Sequence, residues 1–192
     1  LGYEKMPTTE TGTLSEDLIK GWLGERVPER LMRIATAFRH DISIEAIAEA
    51  THWDMWFLRE IKAIIDREMD IAKHGLPDDP QAMLDIKAMG FSDSRLATLT
   101  KKDEDDIRTI RESMGIRPVF KRIDTCAAEF GSDTAYLYST YEATAGRQCE
   151  ARPSDKEKIV ILGGGPNRIG QGIEFDYCCV HAAYALRDQG YE

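Results

Sequence analysis

The sequence predicts a mainly α-helical protein: a bundle of short helices with one small extended segment, followed by the first strand and helix of an α/β domain. Three observations predict this class. Apolar residues recur at helical spacing over the first two thirds of the chain, glycines follow three of the helical segments, and a continuous apolar run precedes a glycine-rich loop. We place the boundary between a helical domain, residues 1–153, and the α/β start, residues 154–192, beside Pro153 in a polar linker.

The first two helices follow from the spacing of their apolar side chains. Leu14, Leu18 and Trp22 recur every four residues, as on one face of a helix. Pro28 suits the first position of a second helix, because that position needs no N–H donor. The apolar stripe of this second helix consists of Leu31, Ile34, Ala35 and Phe38.

Capping residues predict where the middle helices begin. Ser43 can cap a short helix that carries Ile44, Ile47 and Ala48. Asp54 can cap the longest helix, in which Trp53 and Leu58 are spaced for a hydrophobic staple and Ile61 and Ile65 continue the buried face. Two further helices begin at Asp79 and Asp103. Gly75, Gly90 and Gly115, each followed by an apolar residue, predict Schellman endings.

An internal repeat relates the two halves of the helical region. Residues 42–51 align with residues 91–100 at an offset of 49, and each copy is a short helix, a turn and a longer helix. Such hairpins resemble helix-turn-helix units. However, the second long helix opens with acidic residues at 103–106 and the first with aromatic ones at 53–57, so neither presents the basic residues that contact DNA.

The last third of the chain changes character. Residues 118–123 should be extended, residues 127–130 a turn of helix, and residues 134–141 a strand. The run at 158–162 is typical of a buried parallel strand, and residues 173–187 should form a helix ending at Gly190. A lone parallel strand needs neighbours, so we expect the rest of that sheet to follow Glu192.

The glycine-rich loop, residues 163–172, leaves three interpretations open. It could cradle phosphate, although Arg168 stands where a dinucleotide loop has its third glycine and Gln171-Gly172 replaces the Lys-Ser/Thr of a P-loop. It could form a narrow backbone wall beside which Arg168 and Glu174 place charge in a polar passage. Alternatively, those two residues simply pair and the glycines only make the turn.

Composition limits the partners. The 192 residues include 25 Lys and Arg against 34 Asp and Glu, a net charge of -9, which disfavours nucleic acid. No apolar run reaches the roughly 20 residues that cross a bilayer, and no signal peptide is evident, so we expect a cytoplasmic protein without a membrane partner. The start at Leu1 rather than Met favours a piece of a longer protein.

Neither a metal site nor a catalytic residue is expected. The cysteines lack Cys-x-x-Cys spacing and should be reduced thiols; they are Cys126, Cys149, Cys178 and Cys179. Three histidines lack ligand partners at metal spacing: His40, His52 and His74. His181 lies on a predicted helix, on a face with Cys178 and Leu186, and should be packed rather than catalytic. No Ser/His/Asp or Cys/His arrangement is evident.

Aromatic residues cluster at the start of the longest helix. Trp53, Trp56 and Phe57 either pack in the core or form a protein–protein hot spot. Together with Leu58, they are our candidates for an oligomer interface.

Long motifs give the chain a family resemblance. DTCAAEF at 124–130, YLYSTY at 136–141 and GGGPNRIGQGIEFDYCCVH at 163–181 closely resemble the large subunit of carbamoyl phosphate synthetase. Residues 36–39, 54–58 and 90–97 match more loosely, and residues 143–149 form a slightly longer stretch than is usual in the family.

The resemblance implies an architecture and a reaction. The chain would be the oligomerisation domain and the truncated start of the pre-ATP-grasp domain of the second synthetase half. The parent would be a glutamine-hydrolysing ligase that makes carbamoyl phosphate from bicarbonate, ammonia and two ATP for arginine and pyrimidine synthesis. Its cofactors would be ATP, Mg²⁺ or Mn²⁺, and K⁺, with none bound by this chain, which alone would be inactive.

The resemblance also implies partners and a tunnel. The partners would be a small glutaminase subunit and other large subunits, in a tetramer. By resemblance, Arg168, Gly172 and Glu174 line the tunnel that carries carbamate to the second active site. The alternative function is a phosphate- or nucleotide-binding module that uses the glycine-rich loop.

Overall fold

The computed structural model describes residues 16–122, 136–142, 148–163 and 174–192. The chain divides into two compact units, one built from residues 1–119 with 139–148 and the other from residues 120–138 with 149–192. The mainly α-helical class is confirmed. Within the described ranges, no helix combines the length and the hydropathy needed to span a bilayer.

The first unit is helical. Its helices, in chain order, are α1 (Glu16–Gly24), α2 (Arg30–Arg39), α3 (Ile44–Thr51), α4 (Met55–His74), α5 (Pro80–Ala88), α6 (Asp93–Thr100) and α7 (Glu104–Ser113). The long α4 packs against α2, α3 and α6, so it joins the two copies of the repeat. Pro28 lies in the turn before α2 rather than in its first helical position, which corrects that prediction by two residues.

Two apolar clusters form the core of this unit. Leu58, Ile61 and Ile65 of α4 belong to the first, together with residues of α1, α2 and α3. Ile71, near the end of the same helix, belongs to the second, which contains residues of α5, α6 and α7. Because α4 contributes to both clusters, its buried face makes the two repeat copies one packed body.

The repeat is present in the backbone as well as in the sequence. The helices α3 and α6 begin and end at positions that are 49 residues apart. Ser43 accepts a hydrogen bond from the N–H of Ala46, and Ser92 accepts one in the same way from Arg95. The residues that follow the helices, His52 and Lys101, both take left-handed backbone, at φ 55° and 57°.

The glycine endings are confirmed in part. Gly75, Gly90 and Gly115 have φ of 85°, 93° and 72°. At Gly115 both Schellman bonds form: Ile116 donates to the carbonyl of Arg111 at 3.1 Å, and Gly115 donates three residues back at 2.9 Å. At Gly75 the predicted motif is wrong, because ψ is −168° and the backbone leaves in an extended direction.

Asp41 makes a Schellman ending that lacks the glycine signal. Its φ is 57°, its N–H donates to Phe38, and Ile42 donates to Ala37, each at 3.1 Å. Asp41 stands 49 residues before Gly90, so the helices that precede the two repeat copies are both followed by a residue with left-handed backbone, an aspartate in one case and a glycine in the other.

The serine caps should each contribute to stability. We expect Ser43→Ala or Ser92→Ala to lower the free energy of unfolding by about 1 kcal/mol, because each leaves a helix N–H without its acceptor. Urea unfolding followed by tryptophan fluorescence measures this, since the three tryptophans, Trp22, Trp53 and Trp56, all lie in the first unit. Ser94→Ala, at an exposed position inside α6, is the control, and an equal loss there would contradict the capping role.

The described residues after α7 contain less regular structure. β1 (Val119–Arg122) and β2 (Leu137–Thr140) lie within the two segments predicted to be extended, and the structure pairs them in a two-stranded sheet; α8 (Glu174–Asp188) follows. The helix α8 ends in a Schellman motif at Gly190, where Tyr191 donates to the carbonyl of Leu186 at 3.1 Å. The predicted helical turn at 127–130 lies outside the described residues.

The predicted buried strand at 158–162 is not formed. These residues are irregular, and the side chain of Leu162 is 90% exposed. A parallel strand is buried by its neighbours, and within the described residues only Glu192 pairs with this segment. Glu192 donates to Glu157, and Ile159 donates to Glu192, each at 2.9 Å, which is the bond pattern of one parallel step.

Candidate functional site

The first candidate is the aromatic pair at the start of α4. Asp54 caps this helix by accepting from the N–H of Trp56 at 2.7 Å, as predicted. The rings of Trp56 and Phe57 meet edge to face with centroids 4.9 Å apart, and the residues are 58% and 54% exposed. An exposed aromatic pair of this kind is typical of a protein–protein contact surface.

Their neighbours behave differently. Trp53 is half-buried and packs against the first core cluster, so core packing holds for this residue alone of the three aromatics. Leu58 is 0% exposed inside the same cluster. It therefore has no surface to offer a partner, and its assignment as an interface candidate is corrected to the core. The helical spacing explains this, because Leu58 lies on the face with Ile61 and Ile65.

A buried carboxylate on α4 joins both repeat copies. The side chain of Glu68 is 4% exposed and contacts Arg39 of α2 at 2.6 Å and Arg95 of α6 at 2.7 Å. Burial alone raises the pKa of Glu68, but the hydrogen bonds and charges of the two guanidinium groups outweigh it and lower the pKa. We call these three residues the Glu68 cluster. A cavity of about 230 Å³ borders it, lined by Ile64, Glu68, Met89, Gly90, Phe91, Ser92 and Arg95.

A second charge cluster connects α5, the start of α6, and α7. Asp93 accepts from Lys87 at 2.9 Å and from Arg111 at 3.0 Å, and both cations lie over the ring of Tyr141, at 5.1 and 5.9 Å from its centroid. Burial raises the pKa of Asp93, yet its two cations lower it overall. Burial raises the pKa of Tyr141, against the opposing charge of Arg111. We call these residues the Asp93 cluster.

Both clusters connect helices through buried ion pairs. Their opposite charges face one another across α2, α4 and α6 in the first case and across α5, α6 and α7 in the second. Sequence reasoning missed them. The partners of Glu68 are 29 and 27 residues away on other helices, and no short-range pattern joins them.

The predicted tunnel residues stay predictions. Arg168 and Gly172 lie outside the described residues. Glu174 is the first residue of α8, but its side chain is not among those described. The three interpretations of the glycine-rich loop are therefore still open. In the second unit, an open, largely apolar cavity of about 450 Å³ lies beside α8, lined by Ser154, Lys156, Ile159, Ile161, Ala183, Leu186, Arg187, Tyr191 and Glu192.

The remaining candidates that the structure describes do not come together in a site. Over the parts of the chain that the structure describes, no group of three His, Cys, Asp or Glu side chains is placed to hold a metal ion. Cys149 and Cys178 are exposed free thiols, Cys179 is a half-buried one, and Cys126 is outside the described residues. His181 is exposed rather than packed, and its neighbours on α8 are Tyr177 and Tyr184, with centroid distances of 4.1 and 6.5 Å.

Comparison with known proteins assigns both parts of the chain. Residues 2–115 match the family described as carbamoyl-phosphate synthetase large chain, oligomerisation domain. Residues 155–192 match the carbamoyl phosphate synthase preATP-grasp domain.

Curated relatives agree. The chain is 52% identical to the carbamoyl phosphate synthase large chain of Rhizobium meliloti (strain 1021) over 98% of its own length and 16% of that protein's. It is 52% identical to the large chain of Brucella melitensis biotype 1 over 100% of its length and 17% of the relative's. The large chain of Vibrio cholerae serotype O1 is also 52% identical, over 88% of this chain and 16% of that one. The chain thus spans about one sixth of these relatives, and it belongs to the carbamoyl phosphate synthetase large-chain family.

Proposed function

We propose that the first unit holds copies of a carbamoyl phosphate synthetase large chain together. The observation that carries this proposal is the exposed Trp56–Phe57 pair on a unit whose other large side chains mostly lie in two packed clusters. Large aromatic side chains contribute most of the binding energy in many protein interfaces. The match of residues 2–115 to a family named for oligomerisation supports the same role.

The proposal extends to the whole protein. It would be a cytoplasmic, glutamine-hydrolysing ligase that forms carbamoyl phosphate from bicarbonate, ammonia and two ATP, for arginine and pyrimidine synthesis. Its partners would be other large chains, in a tetramer, and a small glutaminase subunit. We expect segments other than these 192 residues to bind ATP, Mg²⁺ or Mn²⁺, and K⁺. Arg168, Gly172 and Glu174 would line its carbamate tunnel.

Competition tests the assembly role. We expect an excess of the 192-residue chain to lower the sedimentation coefficient of a full-length large chain that carries these residues, because both compete for one surface. Given ATP, bicarbonate and ammonia, the 192-residue chain should form no carbamoyl phosphate by itself.

Two results would contradict the proposal. One is an unchanged sedimentation coefficient together with a mass of 21.7 kDa for the added chain at every concentration, since no shared contact would then exist. The other is turnover by the chain alone, which would make it a catalytic unit. Serum albumin at the same mass concentration is the control for non-specific crowding effects.

A further inference from the structure

Four exposed residues form a stripe along α4, and the stripe begins at Trp56 of the aromatic pair. Trp56, Arg59, Glu60 and Ala63 are all exposed. Their spacing of i, i+3, i+4 and i+7 puts them on one side of the helix. The stripe is two turns long, about 10 Å at the usual rise per residue. We call it the α4 stripe.

Within the part of the chain that the structure describes, the two charges of the stripe have no partner. Elsewhere on α4, Lys62 contacts Asp66 at 2.6 Å, and Arg67 lies 3.6 Å from Asp70. Arg59 and Glu60, by contrast, form no hydrogen bond or ion pair with any described residue. They also cannot pair with each other, because adjacent side chains on a helix point in different directions.

The stripe complements itself when two copies meet antiparallel. If a twofold axis passes between positions 59 and 60, facing residues have numbers that add to 119. Arg59 then faces Glu60 of the second copy, and Trp56 faces Ala63 of the second copy. Each pairing occurs twice, and the small Ala63 leaves room for an indole ring at the usual 8–10 Å between helix axes.

Other registers are less favourable. In the antiparallel register in which the numbers of facing residues add to 126, Arg59 faces Arg67 and Glu60 faces Asp66. This register places like charges together. A parallel arrangement sets Arg59 beside Arg59. The equivalent positions on α7 also carry no such stripe, since Arg108 already contacts Asp105 at 2.9 Å within its own helix.

We propose that the α4 stripe is the contact between two copies of this chain, with the two α4 helices antiparallel around the Arg59–Glu60 pairs. The proposal rests on the assembly role proposed above and names the partner and the register of that contact. A contact of this size is small beside the roughly 1,600 Å² of a typical stable interface, so it fits one contact within a larger assembly.

A charge exchange tests the register. Arg59→Glu and Glu60→Arg each replace two attractive pairs with two repulsive ones, and each should raise the Kd of self-association roughly tenfold or more. The double variant restores both pairs in reversed order, so it should return close to the wild-type Kd. Lys73→Glu, exposed near the end of α4, is the control for a charge change away from the stripe. Sedimentation velocity across a dilution series gives the Kd.

A second variant tests whether the indole ring of Trp56 packs against Ala63 of the second copy. Ala63→Lys is compatible with an exposed helical position, yet it fills the space facing Trp56, so it should also weaken association roughly tenfold. Circular dichroism confirms that each variant keeps its helices.

The outcomes separate the two proposals. The antiparallel register is wrong if the single variants associate like wild type, or if the double variant associates as weakly as the single variants. The proposed assembly role is tested separately, and it stands as long as the wild-type chain competes with the full-length protein. If the wild-type chain neither associates nor competes, both proposals are wrong.

Discussion

Glu68→Gln should destabilise the first unit by about 3–5 kcal/mol. The substitution keeps the shape of the side chain but removes the charge that the buried Arg39 and the partly buried Arg95 share. Two guanidinium groups then lose the charge of the carboxylate that they share, and breaking a buried ion pair from one side has a cost of this size. Urea unfolding followed by tryptophan fluorescence reports on this unit alone, because it contains Trp22, Trp53 and Trp56.

An exposed ion pair on the same helix provides the matched control. Asp66→Asn removes the partner of Lys62, where both side chains are about half exposed, so the expected loss is below about 1 kcal/mol. Equal losses for the two variants would show that Glu68 acts as an ordinary surface charge. The Glu68 cluster would then not be what joins α2, α4 and α6.

The Glu68 cluster should make the free energy of unfolding depend on pH. The pKa of Glu68 in the folded protein is lowered, so the carboxylate adds stability above its unfolded pKa of about 4.3. That contribution is lost as the pH falls through the folded pKa. Asp93 has a lowered pKa for the same reason and adds to the loss. Glu68→Gln should therefore show a flatter decline of the unfolding free energy between neutral pH and acid than wild type.

Features encoded over a few residues could be predicted from the sequence. The caps Ser43 and Asp54 and the ending at Gly115 depend on hydrogen bonds that close within one helical turn, so neighbouring residues suffice to predict them. The repeat could be recognised because the same turns recur at the same offset. Asp41 escaped prediction, since an aspartate tolerates left-handed backbone without requiring it.

Features that depend on distant partners could not be predicted. Glu68 on α4 reads as one more charged residue until packing brings Arg39 and Arg95 beside it. The run at 158–162 has the composition of a buried strand, but its burial depends on neighbouring strands, and one pairing with Glu192 leaves it exposed. The outward direction of Trp56 was available from helical spacing, because the buried face was already assigned to Leu58, Ile61 and Ile65.

Leu58→Ala should lower the free energy of unfolding by about 2–5 kcal/mol. Leu58 is fully buried in the first core cluster, so truncation removes apolar contacts and leaves a cavity that the surrounding helices fill only in part. Phe57→Ala is the matched control one residue earlier, and it should lower the free energy of unfolding by no more than about 1.5 kcal/mol, because the residue is 54% exposed and loses mainly its edge-to-face contact with Trp56. A large loss of unfolding free energy for Phe57→Ala together with none for Leu58→Ala would contradict the prediction. It would show that α4 buries the face of Phe57 and that the aromatic pair belongs to the core. The expected result gives the two faces of α4 different roles. Leu58 on the buried face stabilises the unit, while Trp56 and Phe57 on the exposed face stay available to a partner.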